Sequence, residues 1–87
     1  MKTFTLTVSS PDGNVFKGEI AQLILRGAGG DLAVMAGHIP FVTPVKPGVC
    51  RIFAEDGSET VGKTAGGLLT VSNDGVTLLS DSFEWDE

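Results

Sequence analysis

The sequence is poor in the residues from which many functional sites are built. It contains one cysteine, one histidine, one tryptophan and no tyrosine, and only 6 of its 87 residues are lysine or arginine. A lone cysteine excludes an internal disulfide and favours a reducing, intracellular compartment. The formal net charge of −5 and the scattered basic residues argue against nucleic-acid binding, which requires clustered cations to neutralise phosphates.

Long apolar runs and changes in composition are also missing. No apolar stretch approaches the roughly 20 residues of a membrane-spanning helix. The first residues, MKTF, lack the apolar core of a signal peptide. We therefore expect a single domain over residues 1–87, without a membrane span. Hydrophobic residues make up 41% of the chain, which is enough for one compact core.

Strand-like alternation extends over most of the chain. Phe4, Leu6 and Val8 alternate with threonines, as in a strand with one buried face. Asp56-Gly57 and the triplet Asn73-Asp74-Gly75 each separate two apolar runs, a pattern typical of hairpin turns. Short strands at nearly even spacing, with no helical periodicity between them, predict an all-β fold, a flattened sandwich or barrel.

Residues 57–64 read GSETVGKT and match the phosphate-loop pattern G-x-x-x-x-G-K-[ST]. That loop binds phosphate only where a buried strand precedes it and a helix begins at its lysine, since the helix N-terminus supplies hydrogen-bond donors. Here the match falls in a predicted hairpin strand, and Ala65-Gly66-Gly67 leads into another strand. We therefore predict no nucleotide site and no cofactor.

The remaining candidates for chemistry are isolated residues. His38 lacks the further ligands of a metal site, so a surface histidine with a local hydrogen bond is the favoured interpretation. Cys50 alternates within a predicted strand and is expected to be a small core residue. The tail, residues 80–87, is interpreted as a solvated end, in which Phe83 and Trp85 are available to cover an apolar edge. No catalytic and no metal-binding residue is predicted.

One segment carries a resemblance to a known family. Residues 30–48 read GDLAVMAGHIPFVTPVKPG, with an acidic residue and a leucine shortly before Gly-His-x-Pro, then a threonine and Lys-Pro-Gly. This arrangement strongly resembles the N-terminal domain of the epsilon subunit of F-type ATP synthases. Residues 10–13, 15–19, 66–71 and 76–81 resemble further turns and strands of that domain in the same order, so the likeness covers nearly the whole chain.

The resemblance implies a fold and a role. The family domain is a β-sandwich of about ten short strands, in agreement with the strand pattern. The implied role is that of a non-catalytic central-stalk subunit of the rotor. Such a subunit joins the gamma subunit to the ring of membrane c subunits, and it couples rotation driven by hydrogen ions or sodium ions to ATP synthesis. The implied location is peripheral, on the cytoplasmic face of a bacterial inner membrane.

The same resemblance implies which residues contact the ring or gamma: Asp31, Gly37, His38, Ile39, Pro40 and Thr43. We expect the ring contact on the loop from residue 31 to residue 41, within which residues 32–35 are predicted to form a short strand. Glycines permit close approach there, and Ile39 offers an apolar anchor. Asp31 is expected to pair with a basic residue of the ring. Thr43 is expected to lie nearer the gamma subunit, and the position of His38 is compatible with contact to either the ring or gamma. Phe41, the last residue of this loop, is as readily interpreted as a core residue.

The chain departs from the family pattern at three positions and in length. Ala33, Ala36 and Thr70 stand where glycine, proline and an acidic residue are common in the family. The sequence stops at Glu87, where the family usually continues into a C-terminal helical hairpin. In the family that hairpin carries an inhibitory conformational change, and in some members an ATP site, so neither property is transferred to this chain.

Two hypotheses from other classes remain. A small β-sandwich that binds carbohydrate or peptide needs an aromatic platform, yet the chain has no tyrosine and its one tryptophan is Trp85, in the tail. An enzyme would have to use Asp31 with His38, two residues for which the sequence offers no accompanying nucleophile.

Overall fold

The computed structural model describes residues 2–27, 29–37 and 39–85, and every regular element in this part of the chain is a strand. The strands are β1 (Phe4–Ser10), β2 (Gly13–Ile20), β3 (Gln22–Gly27), β4 (Gly30–Met35), β5 (Phe41–Val45), β6 (Gly48–Phe53), β7 (Glu59–Thr64), β8 (Gly67–Ser72), β9 (Gly75–Ser80) and β10 (Phe83–Trp85). The predicted all-β fold of about ten short strands is confirmed.

One hydrogen-bonded sheet contains all of these strands and folds over on itself. Its order is β10-β7-β6-β3-β5-β8-β9-β1-β2, and β4 pairs with the other side of β3. The sheet turns from one layer to the next at β3, which pairs with β6 through residues 22–24 and with β5 between Gly27 and Val45. We call β4, β3, β6, β7 and β10 layer one, and β5, β8, β9, β1 and β2 layer two.

Strand alternation places one face of each layer in a common core. Leu6 and Val8 on β1, Leu23 and Leu25 on β3, and Leu69 on β8 are each at most 1% exposed. Burial of a leucine or valine side chain contributes about 1.5–3 kcal/mol relative to leaving it in water. The alternating residues of the sequence are therefore the residues that hold the two layers together.

Both predicted hairpins are confirmed. β6 pairs antiparallel with β7, and β8 pairs antiparallel with β9. In the first turn the backbone N–H of Ser58 donates to Asp56 Oδ1 at 2.9 Å, which lowers the pKa of that carboxyl. Gly57 completes this turn with φ +91°, a left-handed conformation that glycine adopts without strain.

The tail is a strand rather than a solvated end as far as Trp85. β10 pairs with β7, and Gly62 of β7 makes room for the ring of Phe83, with which an added Cβ would collide. The Trp85 ring meets Phe83 edge-on at 5.0 Å and Phe16 of β2 edge-on at 5.9 Å. Because β10 and β2 are the last strands of the two layers, this contact nearly closes the sandwich into a barrel. Three residues are too few to show strand periodicity, and this is why the sequence pattern did not predict β10.

The connections gather at two ends of the molecule. The β1–β2, β3–β4 and β5–β6 connections lie at one end, which we call the Asp31 end because Asp31 is next to the second of them. The β4–β5, β6–β7 and β8–β9 connections lie at the opposite end, which we call the Gly37 end.

Candidate interaction surfaces

Asp31 lies on β4 directly opposite Arg26 of β3. Arg26 Nε is 3.7 Å from Asp31 Oδ1, and the two side chains are 61% and 77% exposed. An exposed ion pair of this kind contributes about 0–1 kcal/mol, so little stability is lost when one partner turns to another charge. The carboxylate of Asp31 is thus available to an outside partner at the Asp31 end.

The other predicted contact residues of the loop lie at the opposite end of the molecule. Gly37 follows β4 with φ +87°, in the left-handed region that favours glycine. Ile39 is 81% exposed, and Pro40 is exposed beside it. His38 lies outside the described residues. Ile39 therefore has the exposure expected of an apolar anchor, at the Gly37 end.

The expected contact loop of residues 31–41 is not one surface, because the short strand predicted within it is confirmed and begins earlier than predicted. Gly30–Met35 is strand β4, paired with β3 along its length. A strand of six residues spans about 17–20 Å, at 3.3 Å per residue. The strand forms because Val34 is buried in the core and Leu32 packs against it. The predicted contact residues consequently fall on two separate surfaces.

Thr43 lies in β5 and shares its inward face with Phe41 and Val45. Its side chain is half-buried, and Thr43 Oγ1 donates to the Pro44 carbonyl oxygen at 3.3 Å. Phe41 packs against the core, which confirms its interpretation as a core residue. Because alternate residues of a strand face opposite sides, Val42 and Pro44 are the residues that β5 presents outward.

The outer face of layer two carries an apolar surface that was not predicted from the sequence. We call it the apolar row: Val42, Pro44, Leu68 and Leu79. Pro44 lies opposite Leu68, which lies opposite Leu79, so the row crosses three neighbouring strands. Val42, Leu68 and Leu79 are 60%, 38% and 49% exposed. The sequence did contain a signal for this surface: two adjacent leucines in β8 and two in β9. Adjacent residues of a strand point to opposite faces, so each pair places one leucine on the outer face.

The phosphate-loop match lies in a strand, as predicted. Residues 59–64 form β7, which pairs with β6 on one side and β10 on the other. Thr64, the residue that would bind Mg²⁺ in a true phosphate loop, is 5% exposed. Its hydroxyl accepts the Gly66 N–H at 3.1 Å and lies 2.5 Å from Ser80 Oγ, which donates to the Ser82 carbonyl at 2.5 Å. Thr64 therefore donates to Ser80, and the threonine of the motif is a structural link.

Cys50 is a core residue, as predicted. Its side chain is fully buried in β6, and burial raises the pKa of the thiol to about 12. The thiol stays protonated at neutral pH and is a poor nucleophile. In the described part of the chain no three His, Cys, Asp or Glu residues are grouped to hold a metal ion. That part also contains no helix long and apolar enough to cross a bilayer.

Comparison with known proteins connects this fold to a family. Residues 3–86 match the family described as the ATP synthase delta/epsilon chain, β-sandwich domain. A chain of the Euglena gracilis mitochondrial ATP synthase, solved by cryo-EM as OSCP/F1/c-ring in rotational state 1, has a TM-score of 0.90 at 22% identity. A chain from the central stalk and c-ring of the Tetrahymena thermophila mitochondrial ATP synthase has a TM-score of 0.76 at 11% identity.

The chain belongs to the β-sandwich domain family of ATP synthase delta and epsilon chains. The resemblance recognised in residues 30–48 is thereby confirmed. The Euglena match covers 95% of this chain and 53% of that chain, and the Tetrahymena match covers 94% and 66%. The chain thus spans about half the length of the first of these structures and about two thirds of the second, with the same fold.

Proposed function

We propose that this chain is a rotor subunit of an F-type ATP synthase, which joins gamma to the c-ring and transmits rotation without catalysing a reaction. The observation that carries the proposal is the apolar row, an exposed apolar surface across three strands of layer two. Contiguous apolar surface on a small domain marks a site of protein contact. A subunit that joins two partners also needs a second surface, and the Asp31 end supplies one.

Gamma is assigned to the apolar row. Thr43, which the resemblance places nearer gamma, belongs to β5, and its outward neighbours Val42 and Pro44 begin the row. Thr70 and Thr77 pair with each other beside the row and are half-buried. An apolar centre with a polar margin is the usual composition of a protein–protein interface.

The c-ring is assigned to the Asp31 end. Asp31 is 77% exposed, and Gly30 beside it adopts φ +130°, a conformation that favours glycine, so no side chain at position 30 covers the Asp31 carboxylate. An exposed carboxylate of this kind suits a basic residue in a polar loop of the ring. Gly37, Ile39 and Pro40 lie at the other end, so in this assignment they do not contact the ring.

The role is mechanical, and the framework suits it. All described strands belong to one hydrogen-bonded sheet, and β1 and β9, which are distant in the sequence, pair in parallel. Torque between two partners would therefore act on a cross-linked backbone rather than on a flexible linker. In this role the chain acts in hydrogen-ion-driven ATP synthesis, held by its partners at the cytoplasmic face of a bacterial inner membrane.

The alternative of a carbohydrate- or peptide-binding module has less support. Such a module uses an exposed aromatic face as a stacking platform. Trp85 is 37% exposed, but its ring is engaged edge-on by both Phe16 and Phe83. No observation among the described residues favours this alternative over the rotor subunit.

The proposal is tested by a pair of charge substitutions. Leu79→Asp places a carboxylate in the apolar row, whereas Val49→Asp places one on the outer face of layer one, at similar exposures of 49% and 45%. We expect Leu79→Asp to weaken binding to purified gamma at least about tenfold, which is 1.4 kcal/mol. Val49→Asp should leave the affinity unchanged. Calorimetric titration of gamma with each folded variant measures the difference.

Two results would contradict the assignment. Equal affinities of the two variants for gamma would show that the apolar row is not the docking surface. An absence of binding by the unsubstituted chain to both gamma and a c-ring preparation would remove the rotor role itself.

A further inference from the structure

The Gly37 end contains two adjoining cavities that the proposed function does not use. One has a volume of about 390 Å³ and an apolar lining that includes Ala21, Met35 and Phe53. The other, of about 280 Å³, is polar and is lined by the carboxylates Glu19 and Asp74. Ala36 lines both cavities, so they adjoin at this residue, and we call the pair the depression, with an apolar half and an acidic half.

No described lysine or arginine lines the acidic half itself, and the nearest, Lys17, lines a neighbouring cavity with Asp74. Glu19 accepts hydrogen bonds from the hydroxyls of Thr3 and Thr5, at 3.3 and 2.5 Å, and it makes no ion pair there. Asp74 makes no ion pair within the same part of the chain. Neutral hydroxyl donors orient the Glu19 carboxylate without neutralising it, so its charge remains available to a ligand.

The surrounding charges are mostly acidic. Glu55 and Asp56 lie in the β6–β7 turn, between Ala54 and Gly57, which both line the apolar half. Two described cations lie near the depression: Lys2 lines its apolar half, and Lys17 shares a neighbouring cavity with Asp74. The opposite end is more balanced, since its connections and strand ends carry these charged residues: Asp12, Arg26, Asp31, Lys46 and Asp81. The Gly37 end thus attracts cations.

Apolar side chains continue beyond the cavity walls. Ile39 is 81% exposed on the β4–β5 connection, and Met35 is 55% exposed at the end of β4. A ligand small enough to fit inside the depression would leave these side chains in water. An extended polypeptide would cover them while it fills the depression.

We infer that the depression at the Gly37 end docks a segment of a partner protein in which an apolar side chain is flanked by lysine or arginine. The apolar side chain occupies the cavity beside Phe53, and a flanking cation lies against Glu19 and Asp74. The site goes beyond the proposed function, which assigns gamma to the apolar row and the ring to the Asp31 end. It is independent of that assignment because it rests on cavity shape and charge alone.

Three synthetic peptides, acetylated and amidated, test the inference by chemical-shift titration of the isolated chain. Gly-Lys-Leu-Lys-Gly should shift amides that line both cavities, in a saturable manner. Gly-Glu-Leu-Glu-Gly and Gly-Lys-Ser-Lys-Gly, which reverse the charge or remove the apolar side chain, should each bind at least about tenfold more weakly, a difference of 1.4 kcal/mol. Added salt should weaken the first peptide's binding, because the carboxylates lie at a solvent-accessible surface.

Matched variants make the test specific to the depression. Glu19→Gln with Asp74→Asn removes its two carboxylates, and Asp12→Asn with Asp81→Asn removes two from the opposite end. The two double variants have the same net charge. The first should bind Gly-Lys-Leu-Lys-Gly at least about fivefold more weakly, and the second should bind it as the parent chain does, because long-range attraction is screened over about 10 Å at 0.1 M salt.

Three outcomes would overturn the inference. Equal binding of the lysine and glutamate peptides would exclude a charge-selective site. Equal weakening in both double variants would show attraction by net charge alone. Binding of n-hexylamine as tight as that of Gly-Lys-Leu-Lys-Gly would identify a small-molecule site rather than a protein-docking site.

Discussion

Gly62 belongs to the phosphate-loop pattern in sequence, but its role in this fold is structural. It lies in β7 beneath the Phe83 ring, where a side chain would collide, and it is not among the residues with positive φ. The glycine is therefore required for space rather than for backbone conformation. The neighbouring Thr64 is required for its hydroxyl, which links Gly66 to Ser80.

The first prediction concerns Gly62→Ala. The added methyl should displace Phe83 and lower the free energy of unfolding by about 1–3 kcal/mol, the usual range for overpacking. Gly29→Ala is the matched control, because a Cβ there meets nothing within 4 Å. The control should change stability by less than about 0.5 kcal/mol. Urea denaturation measures both, and equal effects of the two substitutions would contradict the steric role of Gly62.

The second prediction concerns the buried hydroxyl chain. Thr64→Val keeps the shape but leaves the Gly66 N–H without its acceptor, so stability should fall by about 1–3 kcal/mol. Thr60→Val, at an exposed position of the same strand, should have little effect. Thr64→Val combined with Ser80→Ala should destabilise by less than the sum of the two single changes, since both remove the same link. Additive effects would show that the hydroxyls act separately.

The third prediction follows from the Cys50 thiol. Its pKa rises from 9.0 to about 12 on folding, so the folded state holds the proton more tightly than the unfolded state. The contribution of the protonated Cys50 thiol to the free energy of unfolding is fully present below pH 9. It is lost as the pH rises from 9 towards 12. The decline amounts to at most about 1.4 kcal/mol per pH unit. Cys50→Ala should show a shallower decline over that interval in urea unfolding, and an identical decline would contradict the burial of the thiol.

At the scale of elements, closure of the sandwich depends on its shortest strand. β10 has three residues, yet it pairs with β7 and brings Trp85 against Phe16 of β2. Without this strand, the edges of β7 and β2 would be exposed together. The hydrogen bonds and ring contacts of β10 thus protect two strand edges at once.

The fourth prediction tests that closure. Phe16→Ala should lower the free energy of unfolding by about 1–3 kcal/mol, less than the 3–5 kcal/mol of a fully buried phenylalanine because Phe16 is half-buried. It should also shift the emission of Trp85, the only tryptophan, to longer wavelength as the ring gains water. Lys17→Ala, an exposed neighbour on β2, is the control. Unchanged Trp85 emission in folded Phe16→Ala would show that the edge-on contact does not shield the indole.

At the scale of the whole molecule, the proposed function depends on surfaces that lie apart. The Asp31 end, the apolar row and the depression at the Gly37 end occupy different parts of one hydrogen-bonded sheet. A domain with one site could bind a partner, but only separated surfaces can hold two partners in a constant orientation. The proposed coupling role therefore belongs to the whole sandwich rather than to any one loop.

The fifth prediction is that the isolated chain does not bind ATP at residues 57–64. These residues form a turn and an antiparallel strand, in which no helix N-terminus faces a phosphate. Titration with magnesium and ATP should leave their amide resonances unchanged, while a phosphate-loop protein under the same conditions serves as the positive control. Saturable shifts confined to residues 57–64 would overturn the structural interpretation of the motif.

Much of this protein was predictable from local pattern alone. Alternation of apolar residues with threonines in residues 3–8, and Asp56-Gly57 between two apolar runs, are patterns among near neighbours in the chain, so the strands and the hairpins could be predicted from them. The order of motifs in residues 30–48 was sufficient for the family. Strand alternation and turn motifs involve residues only a few positions apart, so a single sequence is sufficient to predict both.

The surfaces depended on pairing between distant segments. Pro44, Leu68 and Leu79 form a row because β5, β8 and β9 align in one register, and Asp31 lies far from Ile39 because β4 is held along β3. Phe83 becomes a strand residue only because β7 offers an edge with a glycine beneath its ring. Cross-strand register arises from contacts many residues apart, and no local periodicity encodes it.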